Sequence, residues 1–196
     1  MATESEFAPF EFKSLVNGKD TLVGADIELA KAIGEKLGVK VEFSVMSFDN
    51  VLANVQSGKA DIAIAGISVT DERKKVYDFS DSYYTSENVV IVKKDKVNDY
   101  TSTDSLAKQT VGTQKGSVQE TVAKKQIPKA SVVSLASNGE MINELKSGQL
   151  QAVVLEKAIA EGYIAQNDDL TLANFNLKYR WYRCLLPSQH VGLQMT

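Results

Sequence analysis

The chain has 196 residues, 43% of them hydrophobic, which is enough to bury one large core or two small ones and excludes a disordered chain. Its formal net charge of -3 gives no basic field for holding nucleic-acid phosphates, so the expected partners are small molecules or other proteins, not nucleic acid. The single cysteine, Cys184, excludes an internal disulfide and a cysteine-based metal cluster, and no run approaches the roughly 20 apolar residues that cross a bilayer.

In chain order, VGADIELAKAIGEKLG predicts a helix with Ile27, Ala30, Ile33 and Leu37 on one face and a stop at Gly38. The alternation of Val39, Val41, Phe43 and Val45 then predicts a strand. SFDNVLANVQSG sets Phe48, Val51, Leu52 and Val55 at helical spacing and ends on Gly58. KADIAIAGISV follows, apolar enough for a strand covered on both faces and ending near Val69.

A second series repeats this plan. ENVVIVKK and TVGTQ read as strands, SVQETVAKK as a helix, ASVVSL as a strand, NGEMINELKSG as a helix and LQAVVLE as a strand. The echo is textual as well, since LANVQSGKADIAIAG and INELKSGQLQAVVLE both run helix, Ser-Gly, buried strand. The expected fold is α/β: two Rossmann-like lobes joined by a hinge near residues 84–88, with 1–86 and the tail 179–196 in the first and 87–178 in the second. In such sheets ligands bind beyond the carboxyl ends of the strands, so the loops there carry the candidates, in a cleft between the lobes.

GISVTDERKK holds Arg73, one of three arginines in the chain. Thr70 is a natural N-cap, and Asp71 and Glu72 suit the positive end of a helix dipole, but an arginine in that turn does not. Arg73 is either a solvated partner of Asp71, Glu72 or Asp78, or a fork for a bound carboxylate assisted by N–H groups near Ser68 and Thr70. VGTQKGSVQE turns through Gly112 and Gly116 into a helix starting at Ser117, an anion site or a plain N-capped turn. Lys115 precedes the glycine, so the loop is not a Walker A motif. Glu156 closes an apolar run as a ligand group or as a helix-dipole acid. Phe10 and Phe12 suit a core, whereas Phe7, in an acidic loop with Pro9, suits a cleft wall.

The segments ATESEFAPFEF, VGADIELAKAIGEKLG, AGISVTDERKKVYDFSDSYY, VGTQKGS and AVVLEKAIAEGY together resemble the polar amino acid-binding proteins of bacterial ABC importers, with the type II periplasmic fold of the glutamine and lysine-arginine-ornithine binders. The resemblance spans about residues 2–178. It implies that Arg73 grips the α-carboxylate of a free L-amino acid with Ser68 and the loop of Gly116, Ser117 and Val118. It implies that Glu156 takes the α-ammonium with the Gly66 carbonyl, that Phe7 and Phe48 flank the side chain, that Glu4 reaches its end, and that Gln114 and Gln119 line the second lobe. Two aromatic faces and an acid favour arginine or lysine, then glutamine.

The same resemblance implies capture outside the cytoplasm, in the periplasm or at the outer face of a Gram-positive membrane, delivery to an ABC permease, and neither catalysis nor a cofactor or metal. Rival readings on this fold are a cyclohexadienyl dehydratase and an amino-acid-sensing receptor domain. Two departures stand out. YRWYRCLLPSQHVGLQMT, with the only Trp, Cys and His, reads as foreign or frame-shifted sequence, and only Met1, Ala2 and Thr3 stand where a first strand and, before it, an export signal are expected. An incomplete first lobe, lower stability and a tendency to associate are the expected consequences.

Overall fold

The structure is a computed structural model that describes residues 1–177 and the strands Arg180–Arg183 and Leu186–Pro187. The chain divides into two compact units, residues 1–85 with 181–196, and 86–180.

Unit 1 begins with β1 (Ala2–Thr3), followed by an antiparallel three-stranded sheet of β2 (Glu6–Phe7), β3 (Glu11–Val16) and β4 (Lys19–Val23). Asn17 and Gly18, both at positive φ, turn β3 into β4, the geometry a two-residue hairpin requires. Helix α1 (Ala25–Leu37) stops where Gly38 enters the left-handed region at φ 69, and β5 (Ser44–Val45), α2 (Phe48–Gln56), β6 (Ile62–Ala63) and the single turn α3 (Asp71–Lys74) complete the unit.

Unit 2 runs β7 (Tyr84–Lys93), β8 (Thr110–Gln114), α4 (Val118–Gln126), β9 (Ser131–Leu135), α5 (Asn138–Ser147), β10 (Ala152–Glu156), α6 (Lys157–Ala165) and β11 (Leu170–Leu172). The repeated plan appears in the topology. In unit 1 the parallel strands stand in the order β6-β1-β5, and in unit 2 in the order β10-β8-β9, so in each the first strand is central, with the second and third on either side. Strand β7 runs antiparallel to β10, with Glu156 opposite Asn88. The remaining two strands, β12 (Arg180–Arg183) and β13 (Leu186–Pro187), pair with β7 and β6.

Each unit has its own apolar core. Phe48, Val51 and Val55 of α2 pack with Ala2, Ala63, Ala65 and Ile67 in unit 1, and Val90, Val111, Val122 and Val154 cluster in unit 2. The stripes at helical spacing in α2, α4 and α5 are therefore the buried faces.

Three expectations need correction. The strand expected through residue 69 pairs only at Ile62–Ala63, because its neighbour β1 has two residues and a ladder can be no longer than its shorter partner; residues 64–68 stay buried nonetheless. For the same reason the strand expected over residues 39–45 reduces to Ser44–Val45, opposite Ala2 and Thr3. Leu37 is 50% exposed. It lines a concavity of about 630 Å³ with Ile33, Val39 and Val41, and none of the expected ligand residues borders that hollow. Cys184 and His190 lie outside the described residues, as does most of the unusual tail.

Candidate functional site

In unit 1 the expected ligand residues follow the carboxyl ends of the three parallel strands: Glu4 and Phe7 after β1, Phe48 after β5, and Gly66, Ser68 and Arg73 after β6. Glu4, Phe7, Phe48, Gly66 and Ser68 are buried, while Arg73 is partly exposed.

Local sequence explains how Arg73 is presented. Thr70 has extended backbone, and its hydroxyl accepts from the Arg73 N–H at 3.1 Å, which caps α3 as the sequence predicts. Gly66, at φ 59, bends the chain sharply after the strand, a conformation glycine adopts at low cost. The Arg73 side chain then returns over its own loop. Its Nη1 donates to the Ser68 carbonyl at 2.9 Å, and its guanidinium carbon lies 5.5 Å from the centre of the Phe48 ring, within cation–π range. Tyr77 braces this arrangement from below: its N–H donates to the Arg73 carbonyl and its hydroxyl to the Leu52 carbonyl of α2, at 3.2 Å. Burial pushes the Tyr77 pKa up, with the Arg73 charge acting in the opposite direction.

In unit 2 the candidates again stand at carboxyl ends: Gln114 ends β8, Gly116, Ser117, Val118 and Gln119 follow it, and Glu156 ends β10. All except Gly116 are buried. Ser117 caps α4, its hydroxyl donating to the Gln114 carbonyl at 2.6 Å and accepting from the Glu120 N–H at 3.3 Å. The Gly116 N–H donates to Glu120 Oε2 at 2.9 Å, and the Ser117 N–H to the Gln114 carbonyl. These two donors of the expected anion loop therefore have partners within the chain. The Val118 and Gln119 amides open the helix.

Glu156 occupies the N-cap position of α6 without making a side-chain cap bond, and it is 1% exposed. The sequence reading missed Asn88. It is fully buried on β7 directly opposite Glu156, and its Oδ1 accepts from Gln119 Nε2 at 3.0 Å, so it joins two of the expected ligand residues. Its signal was a polar amide inside the apolar run ENVVIVKK. Among the described residues no group of His, Cys, Asp and Glu side chains could hold a metal ion.

Glu120, also missed, has a measurable consequence. Burial pushes its pKa up, but hydrogen bonds from Lys124, the Gly116 N–H and Ser134, together with the Lys124 charge, more than offset this and leave it below the usual carboxylate range. A depressed folded pKa means that the ionised group adds stability above the unfolded value and loses it as pH falls through the folded one. Glu120→Gln is accordingly expected to lower the melting temperature at neutral pH by an amount worth about 1 kcal/mol, with the gap from the parent closing as the pH drops below the ordinary glutamate range. Parallel melts across pH check this, and a gap independent of pH would count against it.

Comparison with known proteins supplies the rest. Residues 1–176 match the family described as bacterial extracellular solute-binding proteins, family 3. The arginine-binding extracellular protein ArtP of Bacillus subtilis (strain 168) is 37% identical over 172 residues, 87% of this chain and 65% of its own length. A probable histidine-binding protein of Campylobacter jejuni is 31% identical over 87% of this chain and 64% of its own. The chain thus spans slightly less than two thirds of these relatives. A crystal structure of the amino acid ABC transporter substrate-binding protein AbpA from Streptococcus pneumoniae, bound to L-arginine, superposes with a TM-score of 0.93 at 51% identity, covering 97% of this chain and 81% of that one. The expected type II periplasmic fold and the resemblance to polar amino acid binders are borne out by these matches.

Proposed function

Because the chain belongs to the bacterial extracellular solute-binding proteins, family 3, we propose that it captures a free polar amino acid, arginine before lysine or glutamine, and delivers it to an ABC permease. The observation that carries this reading is Arg73, a planar fork of donors laid against Phe48 and steadied by the Ser68 carbonyl. A guanidinium so placed matches an α-carboxylate bidentately, and charge-assisted bonds of this kind contribute about 1.5 to 3 kcal/mol each.

In this reading Ser68 and the Gly66 carbonyl add polar contacts in unit 1, Phe7 and Phe48 flank the ligand side chain, and Glu4 meets its cationic end. From unit 2 Glu156 takes the ammonium, Gln114 and Gln119 add amide contacts, and the Val118 and Gln119 N–H groups supply helix-end donors. Gly116 and Ser117 shape that turn. The arginine preference is supported by the ligands named for the Bacillus and Streptococcus relatives. Capture takes place outside the cytoplasmic membrane, and it involves binding and release without a chemical step.

A thermal-shift panel of the twenty amino acids tests this. L-arginine at a hundred times its Kd stabilises by about 2.7 kcal/mol and gives the largest rise in melting temperature. If no amino acid raises it, the reading fails.

A further inference from the structure

We infer that Asp26 is a positioning residue for the binding segment of unit 1, holding the left-handed turn at Gly66 in register with Tyr83; the affinity arm of this inference rests on the function proposed above. Asp26 lies in the first turn of α1, fully buried. Its Oδ2 accepts from the Tyr83 hydroxyl at 2.9 Å and from the Gly66 N–H at 3.4 Å, across 57 and 40 residues of sequence. Three segments distant in the chain therefore meet on one carboxylate oxygen. The other, Oδ1, is buried and makes no hydrogen bond among the described residues.

A buried carboxylate is a costly way to hold two donors, because desolvation opposes the charge. The positive end of α1 offsets part of that cost. Both donors reach the same oxygen, and an oxygen with two lone pairs accepts both, so an amide whose oxygen takes the Oδ2 place keeps the tether, whereas removing the oxygen abolishes it. The anchored N–H belongs to the residue where the chain leaves β6 and turns, at φ 59, toward Ser68 and the Arg73 loop. With that amide fixed, Gly66 loses the freedom its missing side chain would otherwise give it. The segment is then ordered before the ligand arrives, and this raises affinity by removing an ordering cost from binding.

The same chain is tested as Asp26→Ala, Asp26→Asn and Tyr83→Phe, with two readouts taken well below each melting point: hydrogen exchange of the Gly66 amide without ligand, and the Kd for L-arginine. Asp26→Ala is expected to speed Gly66 exchange and to weaken arginine about tenfold; Asp26→Asn, which keeps one acceptor, stays within about threefold of the parent, and Tyr83→Phe falls between. A purely structural role would lower the melting temperature of all three and leave the Kd unchanged, and that result overturns the inference. So does unchanged Gly66 exchange in Asp26→Ala. If Asp26→Ala does not fold, Asp26→Asn and Tyr83→Phe decide, and parent-like exchange and Kd in both overturn the inference. If the parent itself binds no amino acid, the function reading has failed, and the tether is then judged on Gly66 exchange alone.

Discussion

Arg73→Ala is expected to weaken amino acid binding more than a hundredfold while leaving the fold intact. Losing a bidentate, charge-assisted contact costs roughly 3 kcal/mol or more, and 1.4 kcal/mol is a factor of ten in Kd. The effect on stability is expected to be much smaller than the effect on binding, because Arg73 is partly exposed; its contacts within the fold include a bond to the Ser68 carbonyl and a cation–π contact over Phe48. Calorimetric titration and melting of parent and mutant separate the two. A mutant that melts normally and still binds arginine with parental affinity would show that the carboxylate is held elsewhere. Arg73→Lys is expected to recover only part of the loss, since an ammonium provides the charge but not the planar fork.

Gly24→Ala is expected to be the most destabilising single methyl group in unit 1. Gly24 sits at φ 126, and a Cβ there would lie 2.1 Å from the Phe10 carbonyl oxygen and 2.5 Å from its carbon. Those are backbone atoms, so no rotamer change relieves the overlap. The start of α1 would have to move away from the Phe10 turn, breaking the bonds from the Ala25 N–H to the Pro9 carbonyl and from the Asp26 N–H to the Phe10 carbonyl. Strain and lost bonds together cost about 3 kcal/mol or more. Gly38 is the control: its φ of 69 is also left-handed, but an added Cβ meets nothing within 4 Å. Gly38→Ala is expected to cost only about 1 kcal/mol, the penalty for that backbone region alone. Urea titrations of both mutants measure the difference, and equal losses would contradict the packing argument. Because Gly24 also sets the entry to Asp26, its replacement is expected to loosen the tether at Gly66.

Much of this molecule was legible in the residue order, for identifiable reasons. Helices α1 and α2 announce themselves through 3.6-residue spacing, α4 through its start at Ser117, and α1 and α5 through the glycines that follow them, Gly38 and Gly148. The doubled text around Ser57-Gly58 and Ser147-Gly148 reports a doubled topology, because each copy must bury a helix face and return a strand to the same sheet. The lengths of β5 and β6 were not legible, since pairing depends on a partner strand far away in sequence. Asn17-Gly18 carried a hairpin signal that only the β3–β4 turn makes concrete.

The site shows the same division. Arg73 stands out because it opposes the local helix dipole, which is a property of its neighbours in sequence. Asp26 does not stand out, since an acid in a first turn looks like ordinary dipole chemistry until Gly66 and Tyr83 are seen to converge on it. Asn88 and Glu120 act through partners that the strand register and the α4 turn supply. What local sequence cannot express is convergence from a distance, and the residues it missed are of that kind.

The most direct test is to titrate the parent protein with L-arginine and with agmatine, the same molecule without its carboxylate. The Arg73 reading requires one saturable site for L-arginine and no detectable binding of agmatine at the same concentrations. Equal affinity for the two would contradict it, because a guanidinium fork has nothing to hold on the decarboxylated ligand.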